Sequence, residues 1–491
     1  MRLMPLLLFT ILTGLMPRSM ANINHYFSSI RTDPNALYSF FKEMPKGGEL
    51  HYHLAGGAYP ETMMALAAQT DNYCLSPIHH TITKNTTCDG ISINNLSSKP
   101  HLYHQTIRAW SMKDFFPGHE SAHDHFFETF EKFFPIVSDF RPQLLVDIIQ
   151  RADKQHVLYL EIMILPDNAH STTFSEQITG SLDFAKNRRR LLAHPAFQNN
   201  IQHTVTESRR ILQQAHHDLG CDTQPTQSVC TLTVKFQYYV LREQPLDQVF
   251  AQALNGFEAA NQSSDIVGIN LVQAEDGIIA LRDYREQMRI FHFLHSIYPH
   301  VHIALHAGEL APQDVHPTQL GFHVHDAIFT GGAERIGHGV DIAYEEKAEQ
   351  LFNEMATKPI PVEINLTSNR KILNISGKQH PLRDYLNHHV PVVLSTDDEG
   401  ILRTEITREY VEAVIHQGLD YSTLKIINRN ALTHSFLPGK SIWADPHQSK
   451  LVDECQSLNS RTCQAFIKEH EKARLQWQLE SQLTAFEATY E

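Results

Sequence analysis

Imidazole and carboxylate side chains recur in four short segments that together hold the makings of a metal-assisted hydrolytic centre: His51-Tyr52-His53, His306-Ala307-Gly308-Glu309, Gly337-His338-Gly339 and Ser395-Thr396-Asp397-Asp398. Each is ordinary alone. In 491 residues with 32 histidines, about two His-x-His pairs arise by chance, and three more stand at 123–125, 300–302 and 323–325. Taken together they divide the chemistry. Three neutral imidazoles, His51, His53 and His306, with the carboxylate of Asp397, form a borderline-soft N/O set suited to one Zn²⁺ per chain, with a position left for water. A zinc ion in such a set brings the pKa of a water toward neutrality. His338, flanked by glycines, is placed to orient that water and take its proton. Glu309, read as one helical turn beyond His306, is placed to protonate the leaving side of a substrate, and Asp398 to accept a hydrogen bond from it.

These segments need a scaffold that brings them to one place. Short apolar, β-rich runs recur at Glu49–Leu54, Val157–Leu165, Leu232–Leu241, Ile266–Val272, His302–His306, Arg335–Val340, Pro361–Leu366 and Val390–Ser395, with longer helical stretches between. Near-continuous apolar strands alternating with helices indicate a parallel sheet covered on both faces. Eight such units fit an α/β fold of the (β/α)8 TIM-barrel type, with insertions after strands 1 and 2 at about 74–113 and 167–230 and a helical C-terminal tail at 441–491. All four segments fall at the C-terminal ends of strands, where barrel enzymes assemble their active sites. The barrel itself is expected over 22–440.

Composition narrows the partners. The chain carries 41 Lys and Arg against 55 Asp and Glu, a formal charge of −14, with 42% hydrophobic residues. That balance repels a phosphate backbone, and no basic stripe with interleaved aromatics offsets it, so nucleic acid is not an expected partner. Residues 1–21 read as an export signal: Arg2 gives a positive start, Leu3–Met16 is apolar, and Ser19-Met20-Ala21 supplies small residues for cleavage. The apolar stretch is short of the roughly 20 residues that cross a bilayer, and no later segment is long and apolar enough. An exported protein, periplasmic or secreted, is expected. Six cysteines in three local couples, 74/88, 221/230 and 455/463, agree with an oxidising compartment and with loops stapled by disulfides.

The joint pattern resembles the adenosine deaminase family of metal-dependent hydrolases. Met44-Pro45-Lys46 followed by Glu49-Leu50-His51-Tyr52-His53-Leu54 is similar to its opening motif, Pro60-Glu61-Thr62 follows at the family's spacing, and HAGE, GHG and STDD stand in the family's order. Asn430-Ala431 and Ser435-Phe436-Leu437-Pro438 resemble its C-terminal motif, and the exported, cysteine-bearing chain resembles its extracellular branch. The resemblance implies zinc at His51, His53, His306 and Asp397, a proton donor to the purine at Glu309, a water-orienting base at His338 and a purine contact at Asp398. It implies a small purine nucleoside and water as reactants, adenosine and 2′-deoxyadenosine giving inosine-type products and ammonia.

Two positions depart from that pattern. Ala55 stands where the family has an Asp that touches ribose, and Gln273 stands where Gly is usual in a turn that touches the purine, while Glu275 keeps the acidic position. The departures leave deamination of adenine or another 6-aminopurine as the nearest rival reading. A non-catalytic extracellular nucleoside-binding protein and a two-metal amidohydrolase are further rivals. The latter needs a bridging strand lysine, for which Lys235 is the one candidate. Trp110, Phe115, Phe116, Phe126, Phe127, Phe130, Phe133 and Phe134 are expected to serve mostly as helical core, with some walling the pocket.

Overall fold

The computed structural model describes residues 18–84, 88–118, 120–446 and 448–490. The segment read as an export signal lies outside the described residues up to residue 17, and a helix, Arg18–Ile30, starts within its last residues. Eight parallel strands follow in sequence order around one sheet: β1 (Glu49–His53), β2 (Tyr159–Ile164), β3 (Thr233–Leu241), β4 (Ile266–Val272), β5 (His302–Ala307), β6 (Arg335–His338), β7 (Val362–Ile364) and β8 (Val392–Leu394). Each overlaps the run that the sequence assigns to it. The sheet closes through a parallel bridge between Tyr52 and Asp397, in which the His53 N–H donates to Asp397 O at 3.1 Å and the Asp397 N–H to His51 O at 3.2 Å. The fold is a TIM barrel.

Alternation along the strands sorts the side chains. Leu160, Ile162, Val234, Phe236, Ile269 and Ile303 are fully or almost fully buried and belong to the apolar core shared with the covering helices. Each such side chain contributes about 1.5–3 kcal/mol. The alternate positions are polar and equally buried: Glu161, Gln237, Asn270, Arg335 and Glu363 are at most 1% exposed. This interior differs from the layers of branched aliphatics usual in such barrels.

The stretch after β1 holds a three-stranded antiparallel sheet, Tyr73–Leu75 between Ile82–Lys84 and Ile91–Ser92, closed by the Cys74–Cys88 disulfide. A helical stretch of 33 residues, Ala122–Lys154, broken by a kink at Phe140 (φ −119°, ψ 24°), then leads into β2. The stretch after β2 carries the helices Phe184–Leu192 and Pro195–Asp218 and the Cys221–Cys230 disulfide. In the first of these helices Arg189 and Arg190 are exposed, whereas Arg188 donates to the Tyr298 hydroxyl at 2.9 Å. The tail departs from a purely helical reading. A short antiparallel pair, Trp443–Asp445 with Lys450–Leu451, precedes helices Arg461–Glu469 and Glu471–Ala488, and Cys455–Cys463 joins the segment before the first helix to that helix. The Arg429 guanidinium fastens the last helix to the barrel through both oxygens of Glu480, at 2.8 and 2.6 Å.

All three cysteine couples are paired locally. Because Cys74–Cys88 spans 14 residues, the chain-entropy model assigns it about 3 kcal/mol. Replacing both cysteines by serine is expected to lower the thermal midpoint by a few degrees while leaving the barrel folded. An unchanged midpoint in calorimetry would contradict the stapling role.

Candidate active site

Closure of the sheet builds the centre of the site. Because β1 pairs with the chain just beyond β8, His51 and His53 lie beside Asp397, whose Oδ1 is 3.3 Å from Nε2 of each. From β5, His306 brings its Nε2 to 3.2 Å from that of His53. One donor atom from each of His51, His53, His306 and Asp397 falls within 4.8 Å of the others. Close approach of β6 requires Gly337, where a Cβ would stand 2.7 Å from the His51 ring.

The orientation of these rings follows from their other partners. Asn270 Oδ1 accepts the backbone N–H of Leu271 at 2.8 Å and of His306 at 3.2 Å, so it is an acceptor for His306 Nδ1 as well, at 2.8 Å. The His306 proton is therefore on Nδ1, and Nε2 offers a lone pair. His51 donates from Nδ1 to Glu363 at 2.8 Å, and Ser368 donates to Asp397 Oδ2 at 2.8 Å, leaving Oδ1 to the histidines. Electron pairs facing one another at 3.2–3.3 Å repel unless a cation stands among them. The ring charges differ: burial pushes His53 below and His306 well below the usual histidine range. Burial opposes a charge on His51, yet Asp397 and Glu363 lift it to about 9. Burial likewise opposes ionisation of Asp397, but hydrogen bonds from His51 and His53 hold its carboxyl well below the usual range. Three imidazoles and one carboxylate fit a zinc-type ion.

Around this cluster lie the remaining residues singled out in the sequence. Glu309 does not continue a helix from His306. The strand ends at Ala307, Gly308 takes a left-handed φ of +74°, and Glu275 fixes the loop by accepting from the N–H of Gly308 at 3.1 Å and of Glu309 at 2.8 Å. Burial, then the charges of Asp397 and Glu275, raise Glu309 well above the usual carboxyl range. His338 stands with Nδ1 3.6 Å from Glu309 Oε1 and Nε2 3.9 Å from Asp397 Oδ2. Burial lowers it to about 3. Asp398 is buried with Oδ1 unpartnered among the described residues, and burial followed by repulsion from Asp397 raises it well above the usual range. His338, Asp397 and Gln273 all have left-handed backbones, φ +68°, +64° and +81°, a conformation that costs non-glycine residues about 1–3 kcal/mol and clusters at functional sites.

The cluster opens into a cavity of about 460 Å³ lined by Ala55, Phe126, Phe127, Phe130, Phe134 and Tyr239, with Glu131, Glu243 and Gln273 among its other walls. A larger groove, about 590 Å³, lies at the opposite ends of β1–β3 against the last helix, away from the histidines.

A family model described as adenosine deaminase matches residues 113–454. The chain belongs to the adenosine deaminase family. Among curated relatives, the adenosine deaminase of Klebsiella pneumoniae (strain 342) is 37% identical over 137 residues, 28% of this chain and 38% of that protein. That of Erwinia tasmaniensis is 32% identical over 174 residues, 34% and 49% of the two chains. The matches thus span less than half the length of these relatives. Arabidopsis ADAL complexed with IMP shares the fold with a TM-score of 0.55 and 18% identity, over 91% of this chain and 99% of that one. The adenine deaminase of Arthrobacter aurescens does so with 0.52 and 16%, over 80% and 94%.

Of the aromatic residues flagged in the sequence, Phe126, Phe127, Phe130 and Phe134 line the cavity from one face of the helix Ala122–Lys154. Trp110 and Phe133 are core, and Phe116 is exposed. The long side chain of Gln273 turns back on the chain: its Oε1 accepts the Glu243 N–H at 2.9 Å, which ties the side chain to the rim. Lys235 donates to the carbonyl of Ser264 at 3.0 Å in an exposed contact, so it does not join the histidine cluster. Sequence reasoning overlooked Ser368, Asn369 and Glu363. The signal available for Glu363 is a lone carboxylate at an inward position of an otherwise apolar strand.

His306→Ala removes one donor without touching the other three. Metal content by elemental analysis is expected to fall well below that of the wild type, whereas a fully loaded variant would break the ligand assignment.

Proposed function

We propose that the chain is a zinc-dependent deaminase converting adenosine, and 2′-deoxyadenosine, with water to inosine-type products and ammonia. The observation that carries this reading is the pairing of the donor cluster with a raised, buried carboxyl, Glu309, on the same cavity wall. His51, His53, His306 and Asp397 would hold the ion, which supplies Lewis acidity that makes a water nucleophilic near neutral pH. The chain's own groups do the rest. Glu309, kept protonated by burial, donates to purine N1 as the C6 centre is attacked. Asp398, also kept protonated, lines the same cavity and contacts the purine.

Hydrogen-bond polarity favours an orienting role for His338. The Leu382 N–H donates to His380 Nδ1 at 3.1 Å, so His380 carries its proton on Nε2 and donates to Asn369 Oδ1 at 3.0 Å. Asn369 Nδ2 then donates to His338 Nδ1 at 2.9 Å. Neutral His338 consequently bears its proton on Nε2, on the side of Asp397, and presents a donor to the attacking oxygen. Glu309, once ionised by its donation to N1, is the nearby group able to take up the water's proton.

For the substrate, the cavity walls matter. Their ionisable members outside the histidine cluster are the carboxyls Glu131, Glu243, Glu309 and Asp398, with no Lys or Arg among the described lining residues. A phosphate monoester would meet no cationic Lys or Arg there and would be repelled by Glu131 and Glu243, which supports adenosine over AMP. Ala55 gives a specific reason to keep free adenine as a second reading, since a methyl group offers no hydrogen bond to ribose. The three disulfides support an exported location.

Glu309→Gln is expected to retain zinc and lose about 10²–10⁴-fold in turnover; undiminished activity would remove Glu309 from the mechanism. Since Glu309 works as the acid form and its pKa is raised, kcat/KM should hold through neutral pH and decline on the alkaline side. A decline only below pH 5 would reverse the assignment. With purified protein, adenosine should be consumed at least 100-fold faster than AMP. Faster turnover of AMP would contradict the cavity argument, and faster turnover of adenine would select the second reading.

A further inference from the structure

Two of the three imidazoles in the donor cluster are joined, behind the site, by one unbroken chain of buried hydrogen bonds. His51 Nδ1 meets Glu363 Oε2 at 2.8 Å, and Glu363 Oε1 meets Arg335 Nε at 2.6 Å. Arg335 Nη2 meets Glu161 Oε2 at 2.6 Å, and the same oxygen accepts Gln237 Nε2 at 3.1 Å. Gln237 Oε1 accepts Asn270 Nδ2 at 3.0 Å, and Asn270 Oδ1 accepts His306 Nδ1 at 2.8 Å. These residues come from β1, β7, β6, β2, β3, β4 and β5, so the belt crosses seven of the eight strands. Just beyond β8, Ser395 Oγ accepts the N–H of Leu50 and of His51.

The polarity of every link is determined. Asn270 Oδ1 takes two backbone N–H groups, which fixes its amide and in turn that of Gln237, whose Nε2 also donates to Leu50 O at 3.1 Å. Arg335 can only donate. From His306 the donors therefore point through Asn270 and Gln237 to Glu161, and from His51 to Glu363, with the guanidinium donating to both carboxylates. Arg335 is 1% exposed, covered by the Phe436 ring at 3.7 Å from its centroid. Phe436 itself donates its N–H to Glu161 Oε1 at 2.6 Å.

We infer that Arg335 is a positioning residue for the metal centre, acting on two ligands at once. Through Glu363 it holds His51, and through Glu161, Gln237 and Asn270 it holds His306, each with its proton on Nδ1 and its Nε2 lone pair turned to the ion. Polar partners behind a ligating histidine fix its tautomer and typically change metal affinity 10–100-fold when lost. The belt extends that control to a residue touching neither ring, and it rests on the proposed metal site for its consequence.

The test uses the full chain and two readouts. Imidazole ¹⁵N spectra of the metal-free protein report the protonation and hydrogen bonding at each ring nitrogen, and competition against a chromophoric chelator reports the zinc dissociation constant. Arg335→Lys keeps the charge and loses the fork, and is expected to raise the zinc dissociation constant 10–100-fold. Gln237→Met cuts the arm toward His306, together with the contact to Leu50 O, and leaves the ion pairs intact. It should shift the His306 Nδ1 resonance, by loosening Asn270, and spare that of His51. If a folded Gln237→Met leaves both histidines and the zinc affinity as in wild type, the belt does not position the ligands. If the wild type binds no zinc, the proposed function fails, while the Nδ1 signals of the metal-free chain still decide the belt.

Discussion

The structure depends on where its barrel closes. Eight parallel strands need one last pairing to complete the cylinder, and here that pairing joins Tyr52 to Asp397. The same backbone contact that removes the sheet's open edge sets His51, His53 and Asp397 side by side. Three polar donors converging in a buried place are costly unless compensated. A cation among them turns that cost into binding energy. Scaffold and chemistry are thus one geometric event, and left-handed backbones at His338, Asp397 and Gln273 mark how tightly the strand ends are turned to serve it.

From this centre the charges grade outward. Asp397 is held ionised by its imidazoles, whereas Glu309 and Asp398, close to the same negative charge but lacking such partners, are driven toward their acid forms. Carboxyls of the same chemical kind acquire opposite states from burial and neighbours. The aromatic wall from Phe126 to Phe134 adds an apolar face suited to a flat ring.

Much of this is legible in the sequence. The eight strands announce themselves because apolar, β-branched runs have a strong local signature, and the histidine and aspartate segments stand out because four of them fall at strand ends. Other features are set by tertiary geometry. Whether Glu309 follows His306 on a helix or in a loop depends on Gly308 adopting φ +74° and on Glu275 from the neighbouring strand's turn catching two N–H groups. Glu161, Gln237, Arg335 and Glu363 each read as an isolated polar residue within a strand; only closure of the barrel shows that they meet. The pair Trp443–Asp445 with Lys450–Leu451 is too short to leave a periodic trace.

The central claim is that one ion bound by three imidazoles and a carboxylate drives hydrolysis of a phosphate-free aminopurine. It is tested most directly by dialysing the purified chain against a chelator, adding zinc back in steps, and following the ultraviolet change as adenosine is consumed. The account predicts that activity vanishes on removal and returns in proportion to added zinc, levelling at one equivalent per chain. Full activity in the metal-free protein, or a requirement for two equivalents, would contradict it.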